Sequence, residues 1–436
     1  MSPTLQLAVA FAVFLSLLTV GMAIPFAIGV PAVVYLYLQG GLAGLKGLGL
    51  VSWGSMDSFT LMAVPLFILM AEIMQRSGLT LRIYNGLAVL VSRVPGGLLQ
   101  TSIVGCAIFA AISGSSVVTA ASIGGVALPE LTRRNYNRPL SAGALAAGGT
   151  LGILFPPSTA MIIYGTFTDT SVARLFMAGV VPGLILSAMF MVYIGIRGKL
   201  RPDQVPVEAA DYSVARFTTA FIQILPFFLL IFFILGSIYS GIATPTEAAS
   251  IGCIIVIGLS AIFGEFTWRR LIDAMTRTIV IIGNILCIIY TAFVFSYAIS
   301  YGGVGESFTQ TVVSLDLTHT EFFVVLFVLY TVLGCLVESL GMIVITVPLL
   351  FPVLLQYGID PIWFGVILVM FIELGQISPP IGINLFVIQA MWDGKLSQVA
   401  LGTIPFHIIM LFLLFLLVLF PELALWLPSQ MNGAGP

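Results

Sequence analysis

Two segments, GGTLGILFPPSTAMIIYG and IELGQISPPIGINLFVI, each place a glycine four residues ahead of a double proline inside an apolar run. Proline has no backbone N–H, so Pro156 and Pro157 deprive the carbonyls of Gly152 and Ile153 of their helical donors. Pro379 and Pro380 do the same to Gly375 and Gln376. At bilayer depth a bare carbonyl costs several kcal/mol unless protein, water or an ion meets it. Backbone oxygens of this kind suit a hard cation such as sodium. A proline kink without a ligand is the plain alternative for a single break, but the same break made twice argues for a ligand.

Complementary groups lie in two other apolar stretches. AAISGSSVVTAASIGG brings Ser113, Gly114, Ser115, Ser116 and Thr119 to one turn, and LGCLVESLGMIVIT brings Gly334, Glu338, Ser339, Gly341 and Thr346 to another. Glycine permits a chain reversal there, and hydroxyls and free carbonyls can point at an ion, although small hydroxyl residues also serve as packing contacts between membrane helices. Among the acids, Glu72 precedes Arg76 by four residues and Asp273 precedes Arg277 by four, the spacing of helix-surface ion pairs. TPTE reads as a capping box of Thr244 and Glu247 with Pro245 in the first turn, and Asp169 reads as a helix cap. Glu338 and Glu373 have no basic neighbour in sequence and stand as candidates for ion or proton coupling. His319 is placed in an outer loop and His407 alone on an apolar helix, neither with metal-ligand spacing. Cys106, Cys253, Cys287 and Cys335 lack C-x-x-C spacing and read as packing residues. No phosphate loop of the G-x-x-x-x-G-K-[ST] type occurs, so ATP hydrolysis by this chain has no support.

The elements that must hold these groups are membrane helices. Hydrophobic residues make up 59% of the chain and charged ones 8%, far from the roughly one quarter charged that a soluble surface needs. A net charge of −2 offers no basic face for nucleic acid. Residues 1 to 23 lack a basic n-region and read as a retained first helix rather than a signal peptide. A shift of 223 positions superimposes Pro129 on Pro352, Gly152 on Gly375, Pro156 on Pro379, Pro157 on Pro380, Gly179 on Gly402 and Pro182 on Pro405. About one such coincidence is expected by chance, so the chain is read as two related halves, 1–200 and 220–436, joined by a polar cytoplasmic linker at 201–219.

Basic clusters at Arg76/Arg82/Arg93, Arg133/Arg134/Arg138, Arg197/Lys199/Arg201/Arg216, Arg269/Arg270/Arg277 and Lys395 all fall inside on one path. That path starts and ends outside and spans at about 4–22, 25–40, 57–75, 142–167, 174–196, 220–241, 246–264, 279–299, 362–392 and 399–427, leaving only Lys46 and Arg174 on the outer face. It requires about 98–131 and about 322–355 to be hairpins, the first flanked by basic residues and the second free of them, so they enter from opposite faces. Inverted repeats of this kind characterise secondary transporters. The segments 79–93 and EFTWRRLIDAMTRTIV read as amphipathic helices on the cytoplasmic surface, anchored by Trp268 and arginines.

MDSFTLMAVPLFILMAEIMQRSG, SGSSVVTAASIGG, GTLGILFPPSTAMIIYG, GSIYSGIATPTEAAS and SPPIGINLFVI, in that order, resemble the large membrane subunit of tripartite ATP-independent periplasmic (TRAP) transporters over nearly the whole chain. The resemblance implies an all-α polytopic fold of the elevator type, with two re-entrant hairpins and two broken transmembrane helices at 142–167 and 362–392. It implies a sodium-coupled importer of organic anions such as carboxylates, in a bacterial inner membrane, with both termini periplasmic. It also implies a small four-helix membrane subunit and a periplasmic substrate-binding protein as partners, besides membrane lipid. Carried over by motif, one sodium site uses backbone oxygens around Ser113 and Ser116 in the first tip with Gly152, Phe155 and Pro157 in the first break, and the other uses Gly334 with Gly375, Ser378 and Ile381. VESLGM departs from the Met-Glu-Thr start frequent in the family. An acidic solute would lie between the tips, held by helix N-termini and by Ser115, Thr119, Ser339 and Asn384, with Glu338 at the second tip counted in the same site. Sodium is the sole cofactor expected, and no enzymatic activity is. Proton coupling, a passive anion channel, and an intramembrane serine hydrolase built on SGSS with His407 are the competing readings.

Overall fold

The computed structural model describes residues 3–91, 94–206, 214–264 and 266–431, in which all regular structure is helical. Arg93 and linker residues 207–213 lie outside the described residues. The chain opens with α1 (Pro3–Thr19), α2 (Ile24–Leu45), α3 (Leu48–Met56), α4 (Ala63–Arg76) and α5 (Leu79–Val91). A helical pair, α6 (Leu98–Ser113) and α7 (Ser116–Arg133), leads into α8 (Arg138–Leu154), α9 (Thr159–Thr168) and α10 (Val172–Leu200). Four helices follow, α11 (Val214–Tyr239), α12 (Pro245–Phe263), α13 (Trp268–Tyr301) and α14 (Val304–Ser314). A second pair, α15 (His319–Gly334) and α16 (Ser339–Gln356), then leads into α17 (Pro361–Gln376), α18 (Ile383–Ala390), α19 (Leu396–Leu419) and α20 (Glu422–Ser429). The succession of paired helices, broken helix and long helix thus occurs twice.

Among the described residues, 8 helices are long and apolar enough to cross a membrane, or 9 if the bent pair of α3 and α4 forms one span. Their outer faces carry exposed Leu38, Phe232, Ile254 and Ile408, a surface suited to lipid and not to water. The centre is made by the two broken helices. Every residue from Leu140 to Leu154 on α8 and from Ile362 to Gln376 on α17 is buried. α8 packs on α6, α7 and α19, and its backbone touches that of α19, since a Cβ on Gly143 would lie 2.7 Å from Gly402 Cα. Close backbone approach through small residues is how helices associate where no hydrophobic force acts between them.

Local chemistry sets several boundaries. Thr244 and Glu247 form the expected capping box at the start of α12. Arg76 pairs with Glu72 at 3.1 Å. The four cysteines are free thiols. Other expectations are corrected. Asp169 does cap a helix, but as the C-cap of α9 in the left-handed conformation (φ 52°), which a short polar side chain tolerates, and the N-cap of α10 is Ser171. Asp273 and Arg277 make no ion pair, consistent with the small value of such pairs when both side chains are solvated. Residues 268–301 form one continuous 34-residue helix, not a surface helix followed by a span. Its sequence turns from polar to apolar without a breaker, so the surroundings change and the backbone does not; at about 51 Å it exceeds the ~30 Å hydrocarbon core. His319 belongs to the first turn of α15, where Thr318 and Glu321 make a second capping box. The last span ends at Leu419, ahead of Pro421, and α20 is a separate short helix.

Candidate functional site

The first tip is a turn of two residues. α6 stops at Ser113 because Gly114 takes the left-handed conformation (φ 60°), and Ser115 then caps α7, its Oγ accepting from Val118 N–H at 3.5 Å. Ser113 and Thr119 hydroxyls bond each other at 2.7 Å across the turn. This tip lies against the first break. Thr159, opening α9, donates both its N–H (3.2 Å) and its hydroxyl (2.8 Å) to the Gly114 carbonyl. A Cβ on Gly114 would come within 2.5 Å of the Pro157 carbonyl oxygen, and one on Gly152 within 2.7 Å of Thr119 Oγ1 and into the Ser115 carbonyl. The last helical N–H of α8, that of Phe155, bonds to Leu151 at 3.0 Å. The carbonyls of Gly152 and Ile153 therefore face prolines at the positions that would donate to them.

The second tip meets the second break in the same manner. A Cβ on Gly334 would lie 2.5 Å from Gly375 Cα, and Cys335 Sγ donates to the carbonyls of Pro379 (3.3 Å) and Ser378 (3.6 Å). The Pro156–Pro157 and Pro379–Pro380 peptide bonds are both cis. The breaks differ in one respect that corrects the sequence reading: Gly375 loses its i+4 donor to Pro379, but its carbonyl is not left bare, because Ser378 N–H bonds to it at 3.1 Å. A tightened i to i+3 turn satisfies an orphan carbonyl that the missing i+4 donor cannot. Ser378 Oγ donates to Leu374 at 2.7 Å and lies 3.0 Å from His407 Nε2. His407 bonds to Ser378 and lies 3.3 Å from the Thr403 carbonyl, while Ser115 Oγ caps a helix; among the described residues no histidine bonds to that serine, so the base that a serine nucleophile in SGSS would need is not beside it.

The structure accordingly gathers Ser113, Ser115, Ser116, Thr119, Gly152 and Pro157 into one cluster and Gly334, Gly375 and Ser378 into another. Phe155 is buried and packs toward Gly183, and Ile381 is exposed just past the prolines. Ser339 donates to Glu338 Oε1 at 3.1 Å at the head of α16, and among the described residues no hydrogen bond ties either to the first tip. Thr119 and Asn384, both 0% exposed, have their polar atoms engaged by protein in this conformation. Glu373 is fully buried, and among the described residues neither of its carboxyl oxygens has a hydrogen-bond partner.

Two participants escaped the sequence reading. Thr159 follows the double proline by two residues in a PPST run, which signals a restarting helix but not the bond it makes across the gap to Gly114. For Gln376 the sequence points only to its carbonyl. Its side chain, 0% exposed, accepts from Ser116 Oγ, and Ser116 also lies 3.1 Å from Asn384 Oδ1, so the first tip is bonded to the second broken helix.

Comparison with known proteins agrees with this architecture. Residues 11–423 match the family described as the tripartite ATP-independent periplasmic transporter, DctM component. The chain is 33% identical over 396 residues to the C4-dicarboxylate TRAP transporter large permease protein DctM of Pseudomonas aeruginosa, covering 89% of this chain and 90% of that one. It is 30% identical to the isethionate TRAP transporter permease protein DctMQ of Oleidesulfovibrio alaskensis, over 96% of this chain and 66% of that one. It is 29% identical to the sialic acid TRAP transporter large permease protein SiaM of Vibrio cholerae, over 97% and 98%. In fold it is similar to the crystal structure of the Alcanivorax borkumensis YdaH transporter, with a TM-score of 0.62 at 17% identity, covering 91% and 90% of the two chains. A multi-pass helical membrane protein that matches large transporter permeases over almost its whole length takes its place among them, and the chain belongs to the DctM component family of tripartite ATP-independent periplasmic transporters.

Proposed function

We propose that this chain is the membrane-embedded subunit of a sodium-coupled importer of organic anions. The observation that carries the reading is the docking of each hairpin tip onto a proline-broken helix, with glycines at both contacts and bare carbonyls in the first. A cation at such a junction would join tip to break and shape the space between the tips. Ser113 and Ser116 with Gly152, Phe155 and Pro157 would hold one sodium ion, and Gly334, Gly375, Ser378 and Ile381 the other, with the Gly375 carbonyl sharing its second lone pair. Oxygen-only donor sets fit a hard cation. The relatives named for C4-dicarboxylates, isethionate and sialic acid all act on acids, which supports an acidic solute held by helix N-termini at Ser115 and Ser339, with Glu338 at the rim. The family supports two partners, a small membrane subunit and a periplasmic binding protein, and a bacterial inner-membrane location. The two halves would form inverted repeats around an elevator-type movement.

Reconstituted with its partners in proteoliposomes, the protein should accumulate a carboxylate or sulfonate only under an inward sodium gradient, and potassium should not replace sodium. Equal accumulation driven by protons without sodium would overturn the sodium assignment. It would also make Glu373, with its unpartnered carboxyl, the first candidate proton carrier.

A further inference from the structure

We propose that Gln376 couples the two cation sites. The inference rests on the sodium reading above and adds a positioning residue that neither site requires by itself. Ser116 is the first residue of α7, directly after Ser115, whose carbonyl abuts Gly152 in the first site. Gln376 is the last residue of α17, directly after Gly375, which abuts Gly334 in the second site. The Ser116 hydroxyl reaches Gln376 Oε1 and Asn384 Oδ1, and Asn384 Nδ2 reaches back to the Ala146 carbonyl on α8 at 3.4 Å. Ser116, Gln376 and Asn384 are 2%, 0% and 0% exposed, and among the described residues Gln376 Nε2 has no hydrogen-bond partner, so the clasp is closed off from bulk solvent.

A hydroxyl carries one hydrogen and can donate to one acceptor at a time, so two amide oxygens share it. If an empty first site lets the tip at Ser115 relax, Ser116 withdraws the one hydrogen that the two amide oxygens share, and Gln376 Oε1 and Asn384 Oδ1 lose that donor in the interior, at the point where the second break begins. Buried polar groups left unpaired are costly, so the arrangement that binds the first ion favours the arrangement that binds the second. By linkage the preference is reciprocal.

The test is a sodium titration of the purified chain in lipid nanodiscs, with choline holding ionic strength, read by tryptophan fluorescence. Trp363 on α17 and Trp392 beyond α18 flank the second break. The parent should titrate with a Hill coefficient approaching two, the ceiling for two sites, and Gln376→Leu with a coefficient of about one. Gln376→Glu, which keeps the acceptor oxygen, should restore cooperativity. A cycle separates coupling from general damage: Gly152→Ala, aimed at the first site, should weaken the second-site signal in the parent and add nothing in Gln376→Leu. Ser116→Ala removes the clasp by deleting one oxygen and gives the same reading should Gln376→Leu fail to fold. An unchanged Hill coefficient in Gln376→Leu or Ser116→Ala, or a parent coefficient of about one, would overturn the coupling and leave the sodium reading standing. A parent without saturable sodium binding would overturn both.

Discussion

Gly143 and Gly152 lie on the same helix, and a methyl group at either should fail for a different reason. A Cβ on Gly143 would meet the Gly402 backbone of α19, with Cα at 2.7 Å, and backbone cannot rotate away. Gly143→Ala should therefore separate two packed helices and destabilise the protein by about 1–3 kcal/mol, the usual cost of overpacking. At Gly152 the obstacle is the Ser115 carbonyl and Thr119 Oγ1 of the first tip, a turn that can lift from the break. Gly152→Ala should leave the thermal midpoint within a few degrees of the parent but reduce the stabilisation that sodium confers to what the second site alone can give, because the tip can no longer seat. A thermal melt of each variant with and without sodium checks both. Loss of the fold in Gly152→Ala would mean that this contact is structural and not part of a site. Gly152 is legible in the sequence as the start of a break, whereas Gly143, inside α8, carries no such signal. Their contacts are not legible, since Gly143 and Gly402 lie far apart in sequence and only the superposition of α8 on α19 brings them together.

The helices divide into those whose ends are written locally and those whose ends depend on surroundings. The two helix pairs were legible as interruptions, because Ser and Gly break apolar runs too long for one span, and both breaks because proline cannot donate. Thr244 with Glu247 announced α12 in the same way. α13 was misjudged because a change from polar to apolar composition says where a helix leaves water, not where it ends. The asymmetry of the two breaks was hidden for another reason: both lack the i+4 donor, but only the second supplies an i+3 donor, Ser378 N–H to Gly375. This asymmetry bears on Pro156 and Pro157. Replacing both by alanine restores donors to Gly152 and Ile153, allows α8 to run on into α9 and withdraws two carbonyls from the proposed first ion. Sodium affinity should fall at least tenfold, about 1.4 kcal/mol, while the helical content is kept. The corresponding change at Pro379 and Pro380 should cost less, since Gly375 is already bonded. Equal sodium titrations for the Pro156/Pro157 double mutant and the parent would reduce the first break to a kink.

At the scale of the molecule, the two paired-helix hairpins, α6–α7 and α15–α16, occupy corresponding places in the two halves, and the broken helices they dock on form the buried centre. The proposed inversion makes these hairpins approach from opposite faces, which basic residues alone argued: Arg133, Arg134 and Arg138 follow the first, while the second is flanked by Asp316, Glu321 and Asp360 with no Lys or Arg near. Glu130 pairs with Arg133 and Arg134 at the end of α7, so these charges neutralise in part, yet the local excess at that end stays positive. A membrane-impermeant thiol reagent tests the arrangement in a background lacking the native cysteines. Arg138→Cys should react only from the cytoplasm and Asp316→Cys only from outside. Ser115→Cys and Ser339→Cys, at the tips, should react from both faces, in proportions that sodium and solute shift, because alternating access carries the tips past a fixed frame. A cysteine just before α6 should share the sidedness of Arg138→Cys, since α6 and α7 enter and leave together. Reaction of those two positions from opposite faces would show that residues 98–133 cross the membrane once, and the inverted arrangement would fall with the hairpin.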